Sequence, residues 1–509
     1  MTSRNANMTI ISNILKQHTV MKITTRSAVP AAMLAGLFLA SSCASDIETD
    51  VNPDPQGNSL NFTASVGSSS RAEEIDIDNL GDFAVMARGM HPDGVLYDSY
   101  LIGSAAGGGE IAHFTSMSSS DTKKGTWNLD RKVYWPETFD QVLFIGWTTL
   151  KRGSDGKSES SANGVLPAGA VFSIVGDKPT ISGFSPLKAD LSATPSNGIW
   201  ADGGAQKDLV IAFKQEKRST QSTVALNFRH ALTQMSIVAG QKDKDEATDH
   251  RIVKVKGAWL VNAAKSGTLT ATIDATTQPA QNSTAWTATG RETYGSYYTD
   301  IVPLTTNGKS DLLRSTLMLV PQSLTGWDYS PATTTGAYIM LLCRVELEHD
   351  GTTHTGSDIT DIAIAGGKHY HQLFPVNETE YDGSQYGFVC VPVSTDWADR
   401  LEGKEDRKGA GMHYTYALDI CGMDSGAGVY PPIDDWNPKA LIPSGATVMA
   451  YVLKDGAYSE QEVGLNVVTD RPGNKNIGSP VLDAPIKFSV TVGEWKNPGE
   501  NWTNGSLTM

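Results

Sequence analysis

The chain has 509 residues, of which 39% are hydrophobic and 19% are charged. This composition allows the burial of large apolar cores, and the length predicts roughly two to four domains and not a disordered chain. With 41 basic and 56 acidic residues, the formal net charge is −15 at pH 7. Because that charge opposes attraction to phosphate backbones, we expect no nucleic acid among the partners.

The first predicted element is a secretory signal. Within residues 21–43, basic residues precede a mostly apolar stretch over residues 28–40, and small residues precede Cys43. The apolar stretch is shorter than the ~20 residues of a transmembrane helix. We therefore predict a signal peptide over residues 1–42, with Met21 as the preferred start. Small residues directly before a cysteine resemble the lipobox of bacterial lipoproteins, which makes Cys43 the predicted lipidation site.

An acidic, proline-containing linker is predicted next, over residues 43–57. Its acids, Asp46, Glu48 and Asp50, come soon after Cys43. Such a patch resembles the surface-export signal of Bacteroidota lipoproteins, and a simple solvated linker is the alternative. We predict an outer-membrane lipoprotein precursor that is carried to the cell surface.

The rest of the chain has the pattern of an all-β protein. Short runs alternate between apolar and polar residues, and clusters of Gly, Ser, Thr, Asn and Asp separate them. In the first run, Leu60, Phe62, Ala64 and Val66 alternate with polar residues. Residues 142–147 are continuously apolar, which predicts a strand covered on both faces.

Further strands and a domain boundary follow along the chain. Strands are predicted over residues 83–87, 209–213, 224–228, 251–261, 317–320, 338–347, 387–393, 414–420, 447–453 and 486–492. The charged residues 214–222 read as a linker between two of them. We place an N-terminal β-sandwich domain at residues 58–222 and a C-terminal one at residues 223–509, which is long enough to be elaborated or subdivided.

No catalytic or metal-binding motif stands out in the sequence. It contains no H-E-x-x-H, no G-x-S-x-G nucleophile elbow and no P-loop, so we predict no enzymatic activity and no cofactor. His369 and His371 share one strand face, but no third ligand accompanies them, so we predict no metal site. Cys343, Cys390 and Cys421 lack C-x-x-C spacing and are predicted to be buried small hydrophobes.

Several runs together resemble the fimbrillin and Mfa-like families of Bacteroidota type V pilus subunits. The runs are residues 60–66, 70–72, 80–85, 133–136, 143–144, 226–232, 411–416 and 486–492, followed by Trp495. The resemblance implies two transthyretin-like β-sandwich domains in tandem and a subunit of cell-surface fimbriae that supports adhesion. In such pilins a protease cuts after an arginine in the loop behind the first strand. That strand then leaves, and a strand of another subunit takes its place.

The same resemblance assigns roles to particular residues. It implies cleavage between Arg71 and Ala72, an exchanged strand carrying Leu60, Phe62, Ala64 and Val66, and a candidate donor strand carrying Ile486, Phe488, Val490 and Val492. The implied partners are other pilin subunits, a processing protease, the outer membrane before trimming, and a host glycan or protein receptor. The alternative is that Arg71 is an ordinary surface residue and that the two strands are permanent parts of the sandwiches. The sequence is compatible with a stalk, a tip or an anchor subunit.

A surface lipoprotein that binds glycans or host ligands without polymerising is the alternative function. Exposed indole rings stack on sugars, and Trp436, Trp495 and Trp502 lie among Pro, Asn and Gly, where exposure is expected. This alternative requires neither cleavage at Arg71 nor a mobile strand.

Overall fold

The computed structural model of the protein describes a large part of the chain from Ser59 onward. The described residues are 59–66, 75–91, 95–104, 108–118, 124–139, 141–161, 163–186, 199–200, 206–217, 222–241, 251–274, 281–303, 310–313, 316–327, 335–349, 360–363, 369–372, 385–393, 395–396, 410–420, 442–443, 445–454, 457–468 and 486–494. Within these ranges every element of the secondary structure is a β-strand, which confirms the all-β prediction there. The same ranges contain no helix long and apolar enough to cross a membrane.

The strands of the first half of the chain include those around the predicted exchanged strand. They are β1 (Asn61–Val66), β2 (Phe83–Met90), β3 (Leu96–Ile102), β4 (Glu110–Met117), β5 (Gly125–Leu129), β6 (Gln141–Thr148), β7 (Val171–Val175), β8 (Lys178–Phe184), β9 (Ile199–Trp200), β10 (Val210–Lys217), β11 (Thr223–His230) and β12 (Thr233–Gln241).

The later strands are on average longer. They are β13 (Arg251–Ala263), β14 (Ser266–Asp274), β15 (Gln281–Thr289), β16 (Glu292–Pro303), β17 (Ser310–Asp311), β18 (Leu317–Leu319), β19 (Ser323–Leu324), β20 (Tyr338–His349), β21 (Thr360–Ala363), β22 (His369–Gln372), β23 (Gln385–Pro392), β24 (Thr395–Asp396), β25 (Met412–Ile420), β26 (Thr447–Lys454), β27 (Ala457–Gly464), β28 (Asn466–Val468) and β29 (Ile486–Glu494).

The first sheet closes on itself. Its strand order is β3-β2-β4-β5-β1-β11-β10-β6, and an additional pairing of β2 with β6 joins every strand except β3 into a ring. The alternating patterns of β1 and β11 place one set of side chains inside this ring. The core that they enter is aromatic and aliphatic, and includes Phe62, Phe83, Trp127, Phe144 and Phe228.

Strand β6 is covered on both faces, as its continuous apolar run predicts. All eight of its residues are buried. Val142 and Phe144 belong to the core inside the ring. Leu143, Ile145 and Trp147 belong to a second core, which also contains residues of the four-stranded sheet β15-β14-β8-β7. The ring is therefore one layer of a larger stack of sheets.

Two larger sheets contain most of the later strands. In one, β13 pairs with β16 on one side and with β20 on the other. In the other, β12 runs parallel to β25, and β25 pairs antiparallel with β29 over nine residue pairs. Buried residues of both sheets share one hydrophobic core, in which Ile237, Leu260, Leu341 and Tyr416 are among the members.

The structure corrects the linker predicted at residues 214–222. Lys214–Lys217 continue β10 and pair with β6 as far as Gln141, because their long polar side chains leave the backbone free to extend the ladder. Strand β11, which follows the predicted boundary at residue 223, pairs in the first sheet. The division into two domains stays a prediction.

Candidate functional site

Strand β1 is an interior strand of the ring. On one side it runs parallel to β11 over six residue pairs, from Asn61 opposite Thr223 to Val66 opposite Phe228. On the other side it pairs antiparallel with β5 over three residues. Its N-terminal end is also held, since the Leu60 amide donates to the Val133 carbonyl at 2.6 Å. Both edges of β1 are therefore hydrogen-bonded to other parts of the chain.

The inward side chains of β1 are buried almost completely. Leu60, Phe62, Ala64 and Val66 are exposed by 4%, 0%, 2% and 2%. The alternate positions of the strand are half-buried. Burying side chains of the size of Leu, Phe or Val stabilises a fold by about 1.5–3 kcal/mol each. The four residues predicted to form the exchanged strand thus occupy a row of apolar pockets.

Aromatic rings line these pockets. The Phe62 ring lies edge-on to Phe83 at 6.2 Å and to Phe144 at 6.1 Å, measured between centroids. Phe83 in turn lies 5.0 Å from Phe228 and 5.6 Å from Trp127. Aromatic pairs in such arrangements add about 0.5–1.5 kcal/mol beyond their area burial. Removal of β1 would expose this cluster along its length.

The indole of Trp127 is fixed within the groove beside β1. Its Nε1–H donates to the Gly81 carbonyl at 2.9 Å, and its ring lies 5.3 Å from Phe114. A Cβ added at Gly125 would lie 2.5 Å from two carbon atoms of this indole. Because Cβ atoms do not approach other heavy atoms so closely, the indole occupies the space that a side chain at Gly125 would need.

A buried polar contact anchors the chain behind β1. The Ile75 amide donates to Asp208 Oδ2 at 3.1 Å, and the same oxygen lies 2.8 Å from His230 Nδ1. Asp208 and His230 are buried, and His230 is the last residue of β11. A second anchor is Arg152, whose guanidinium donates to the Asp78 carbonyl at 2.6 Å. Burial lowers the pKa of Arg152, although nearby carboxylates oppose that effect.

The candidate donor strand is β29, and it pairs with a single strand among the described residues, β25. Ile486, Phe488, Val490 and Val492 lie opposite Ile420, Leu418, Tyr416 and Tyr414. Leu418, Tyr416 and Tyr414 are buried. The predicted donor and the predicted exchanged strand thus lie in different sheets.

Other predicted site residues lie outside the described residues. They are Cys43, Arg71 and Ala72, together with Trp436, Trp495 and Trp502 of the glycan-binding alternative and Cys421. Among the described tryptophans, Trp127, Trp147, Trp259 and Trp327 are buried. Cys343 and Cys390 are buried free thiols, as predicted. The described part of the chain contains no group of three or more His, Cys, Asp or Glu placed to hold a metal ion.

Sequence reasoning missed the partners of β1. Nothing in the first strand shows that β11, about 160 residues later, would run parallel to it. His230 is buried, and nothing in the sequence indicates that Asp208 lies beside it. The available signal was Gly125, because a glycine inside a strand often marks a bulge, a bend or a close approach of another group.

The fold and the groove together define an all-β protein whose first described strand fills an apolar groove. A family model described as fimbrillin-like matches residues 100–384, which is more than half of the chain. The chain belongs to the fimbrillin-like family. Membership of this family makes it a fimbrial or adhesion subunit, which is a structural protein and not an enzyme. Its location is the cell surface, and its partners are other pilin subunits.

The chain is also similar to several solved structures. A fimbrial protein from Bacteroides vulgatus ATCC 8482 has 11% sequence identity and a TM-score of 0.36, covering 81% of this chain and 100% of that one. A fimbrial assembly protein from Parabacteroides distasonis ATCC 8503 has 8% identity and a TM-score of 0.27, covering 72% of this chain and 92% of that one. No curated protein sequence matches the chain. The family match alone carries the assignment.

Proposed function

We propose that the protein is a structural subunit of fimbriae that polymerises by exchanging β1 for a strand of another subunit. It is exported as a precursor lipidated at Cys43, carried to the outer surface, and cut between Arg71 and Ala72. The observation that carries this proposal is the position of β1, which fills a groove with four buried side chains and ends at Val66, five residues before Arg71. Cleavage there would leave β1 attached to the rest of the protein by non-covalent contacts only.

Release of β1 would create a site that only another strand can fill. Strands β5 and β11 would each present an edge of unpaired N–H and C=O groups, and the aromatic cluster would face solvent. An added strand satisfies both needs at once, because its backbone pairs with the edges and its alternate side chains enter the pockets. We expect the incoming strand to take the direction of β1, parallel to β11, because its side chains then enter the pockets in the same order.

Strand β29 is the candidate donor. Its sequence alternates apolar and polar residues, as that of β1 does. Within the described residues it pairs on one side only, with β25, so its departure would break a single ladder. A subunit that donates β29 and accepts a strand in place of β1 can assemble head to tail. Such heterologous contacts generate open filaments when rotation does not close them into a ring.

N-terminal sequencing and intact mass of the protein shed from native cells test the cleavage step. We expect a start at Ala72 and ladders of high mass that survive mild detergent. Arg71→Ala should retain its original N-terminus and stay monomeric, whereas Ser70→Ala, the neighbouring control, should be cut and assemble as the wild type does. Polymers of Arg71→Ala that form at the wild-type rate would eliminate cleavage at Arg71 as a step in assembly.

The lipid anchor is tested separately. Cells supplied with labelled palmitate should incorporate the label into the wild type and not into Cys43→Ala. Equal labelling of the two proteins would contradict lipidation at Cys43.

A further inference from the structure

We propose that Trp127 limits the size of the side chain that the β1 groove accepts at the position of Ala64. We refer to the pocket that holds the Ala64 side chain as the Ala64 subsite. The inference rests on the proposed strand exchange and adds to it a rule for the occupant: its third inward side chain must be small, as in Gly, Ala or Ser. Trp127 is then the residue that determines this specificity.

The pairing of β1 with β5 brings the tryptophan to this subsite. Ala64 lies opposite Gly125, and Phe62 lies opposite Trp127. Residues directly opposite in an antiparallel pair share a face of the sheet, with Cβ atoms about 4.5–5.5 Å apart. The indole folds back over Gly125, since an added Cβ there would meet its Cη2 and Cζ3 at 2.5 Å. The space next to Ala64 on this face is therefore already filled by the ring.

The indole has no room to move aside. Its Nε1–H is bonded to the Gly81 carbonyl, and the ring packs between Phe83 at 5.6 Å and Phe114 at 5.3 Å. The Gly81 backbone is itself held, since its amide donates to the Leu150 carbonyl at 3.1 Å. Trp127 is not exposed at all. A displaced ring would leave a buried N–H without its acceptor, which is unfavourable.

The occupant defined by these pockets is an extended strand with a particular order of side chains. Read from Leu60, the residue just before β1, the order is large aliphatic, Phe, small, and then Val. In the register that matches Phe488 to Phe62, the candidate donor β29 supplies Ile486, Phe488, Val490 and Val492. It fits the order at every position except Val490, whose side chain has two more carbon atoms than that of Ala64. The rule therefore predicts that the sequence of β29 binds the groove less tightly than the same sequence with a small residue at this position.

Peptides offered to the cleaved protein test the rule. The full protein carrying a site-specific protease sequence at Arg71 is cut, and synthetic peptides are then titrated by fluorescence anisotropy. They have the sequence of residues 485–493 with Val490, with Val490→Ala, or with Ser489→Ala as the control at the neighbouring position. Overpacking of a rigid site weakens binding, so we expect the Val490→Ala peptide to bind about tenfold more tightly and the control to change by less than about twofold.

The variant Trp127→Phe supplies the second half of the test. A smaller ring without the indole N–H should leave room for valine. The peptide with Val490 and the Val490→Ala peptide should then bind with nearly equal affinity. An unaltered tenfold preference in Trp127→Phe, or equal binding of both peptides to the wild type, would overturn the proposal.

The uncut protein separates failure of this rule from failure of strand exchange. Ala64→Val and Trp127→Phe are combined there in a double-mutant cycle of urea unfolding. The rule predicts that Ala64→Val lowers the urea midpoint in the wild type and lowers it less in Trp127→Phe. Additive effects overturn the rule, even if peptides bind. A coupled cycle together with no peptide binding would retain Trp127 as the limit on this pocket and reject exchange of β1.

Discussion

The backbone amide of Ile75 donates a hydrogen bond to the Asp208 carboxylate, with 3.1 Å between the nitrogen and Oδ2. Ile75 follows the predicted cleavage site after Arg71 by four residues, and Asp208 lies just before β10. The carboxylate also contacts His230 at the end of β11. In the proposed mechanism the segment before the cut, which contains β1, leaves. The contact with Asp208 holds the segment after the cut to the start of β10 and the end of β11.

Replacement of that carboxylate should destabilise the protein. Asp208→Ala removes the acceptor from a fully buried amide and from a buried imidazole, and each buried donor left without its acceptor costs about 1–3 kcal/mol. We expect the free energy of unfolding, measured by urea denaturation, to fall by at least about 2 kcal/mol. Asp130→Ala is the matched control, because Asp130 is 93% exposed and lies 3.7 Å from His113. A control loss as large as that of Asp208→Ala would contradict the anchoring role.

Truncation of the central side chain of β1 should have opposite effects on stability and on assembly. Phe62→Ala leaves a cavity among Phe83 and Phe144, and such changes cost about 3–5 kcal/mol in the uncut protein. The same loss weakens the hold on β1 after cleavage, so light scattering should show faster polymerisation of the cut variant. Thr63→Ala, at a half-buried position on the same strand, should change either quantity little. Slower assembly of Phe62→Ala would count against release of β1 as a required step.

Alkaline pH should destabilise the protein partly through Cys343. Burial raises the pKa of its thiol to about 12 in the folded state. The unfolded thiol ionises near its ordinary pKa of about 8.5, so the stabilisation is complete below that pH and is lost progressively as the pH rises toward about 12. One such group changes the unfolding free energy by up to about 1.4 kcal/mol per pH unit in that window.

Urea unfolding of Cys343→Ala at pH 8 to 11 checks this dependence. The variant is expected to be less stable at pH 8, because it leaves a small cavity, and to lose less stability than the wild type as the pH rises. Parallel curves for the two proteins would show that ionisation of Cys343 does not contribute.

Much of the fold follows from local patterns in the sequence. The alternation of Leu60 through Val66 predicts β1, and the unbroken apolar run at residues 142–147 predicts that β6 is covered on both faces. Strands such as β14 and β15 were not predicted, because their many Thr, Ser and Ala residues give a weak apolar pattern. Here the pairing of strands, and not the composition of each one, determines the structure.

The groove could be predicted only in part. The sequence indicates which side chains of β1 face inward, because a period of two is a local property. It does not indicate that Ala64 lies opposite Gly125 or that Ile75 contacts Asp208. The first two residues are separated by 61 positions in the sequence and the second two by 133 positions. The role proposed for β1 comes from the resemblance to pilins, and the pairings explain why the loss of β1 would open a site.

A reversible lock on β1 tests the central claim most directly. Thr63 and Thr126 lie opposite each other in the antiparallel pairing of β1 with β5, and both are half-buried. The double variant Thr63→Cys, Thr126→Cys therefore places two thiols at a spacing that suits a disulfide. The protein is cut at Arg71, and polymer formation is followed with and without reductant, with Thr63→Cys alone as the control. Exchange of β1 predicts that the oxidised double variant stays monomeric and that reductant restores assembly, while the control assembles in both conditions. Polymerisation of the oxidised, locked protein at the rate of the reduced one would contradict the claim that β1 must leave.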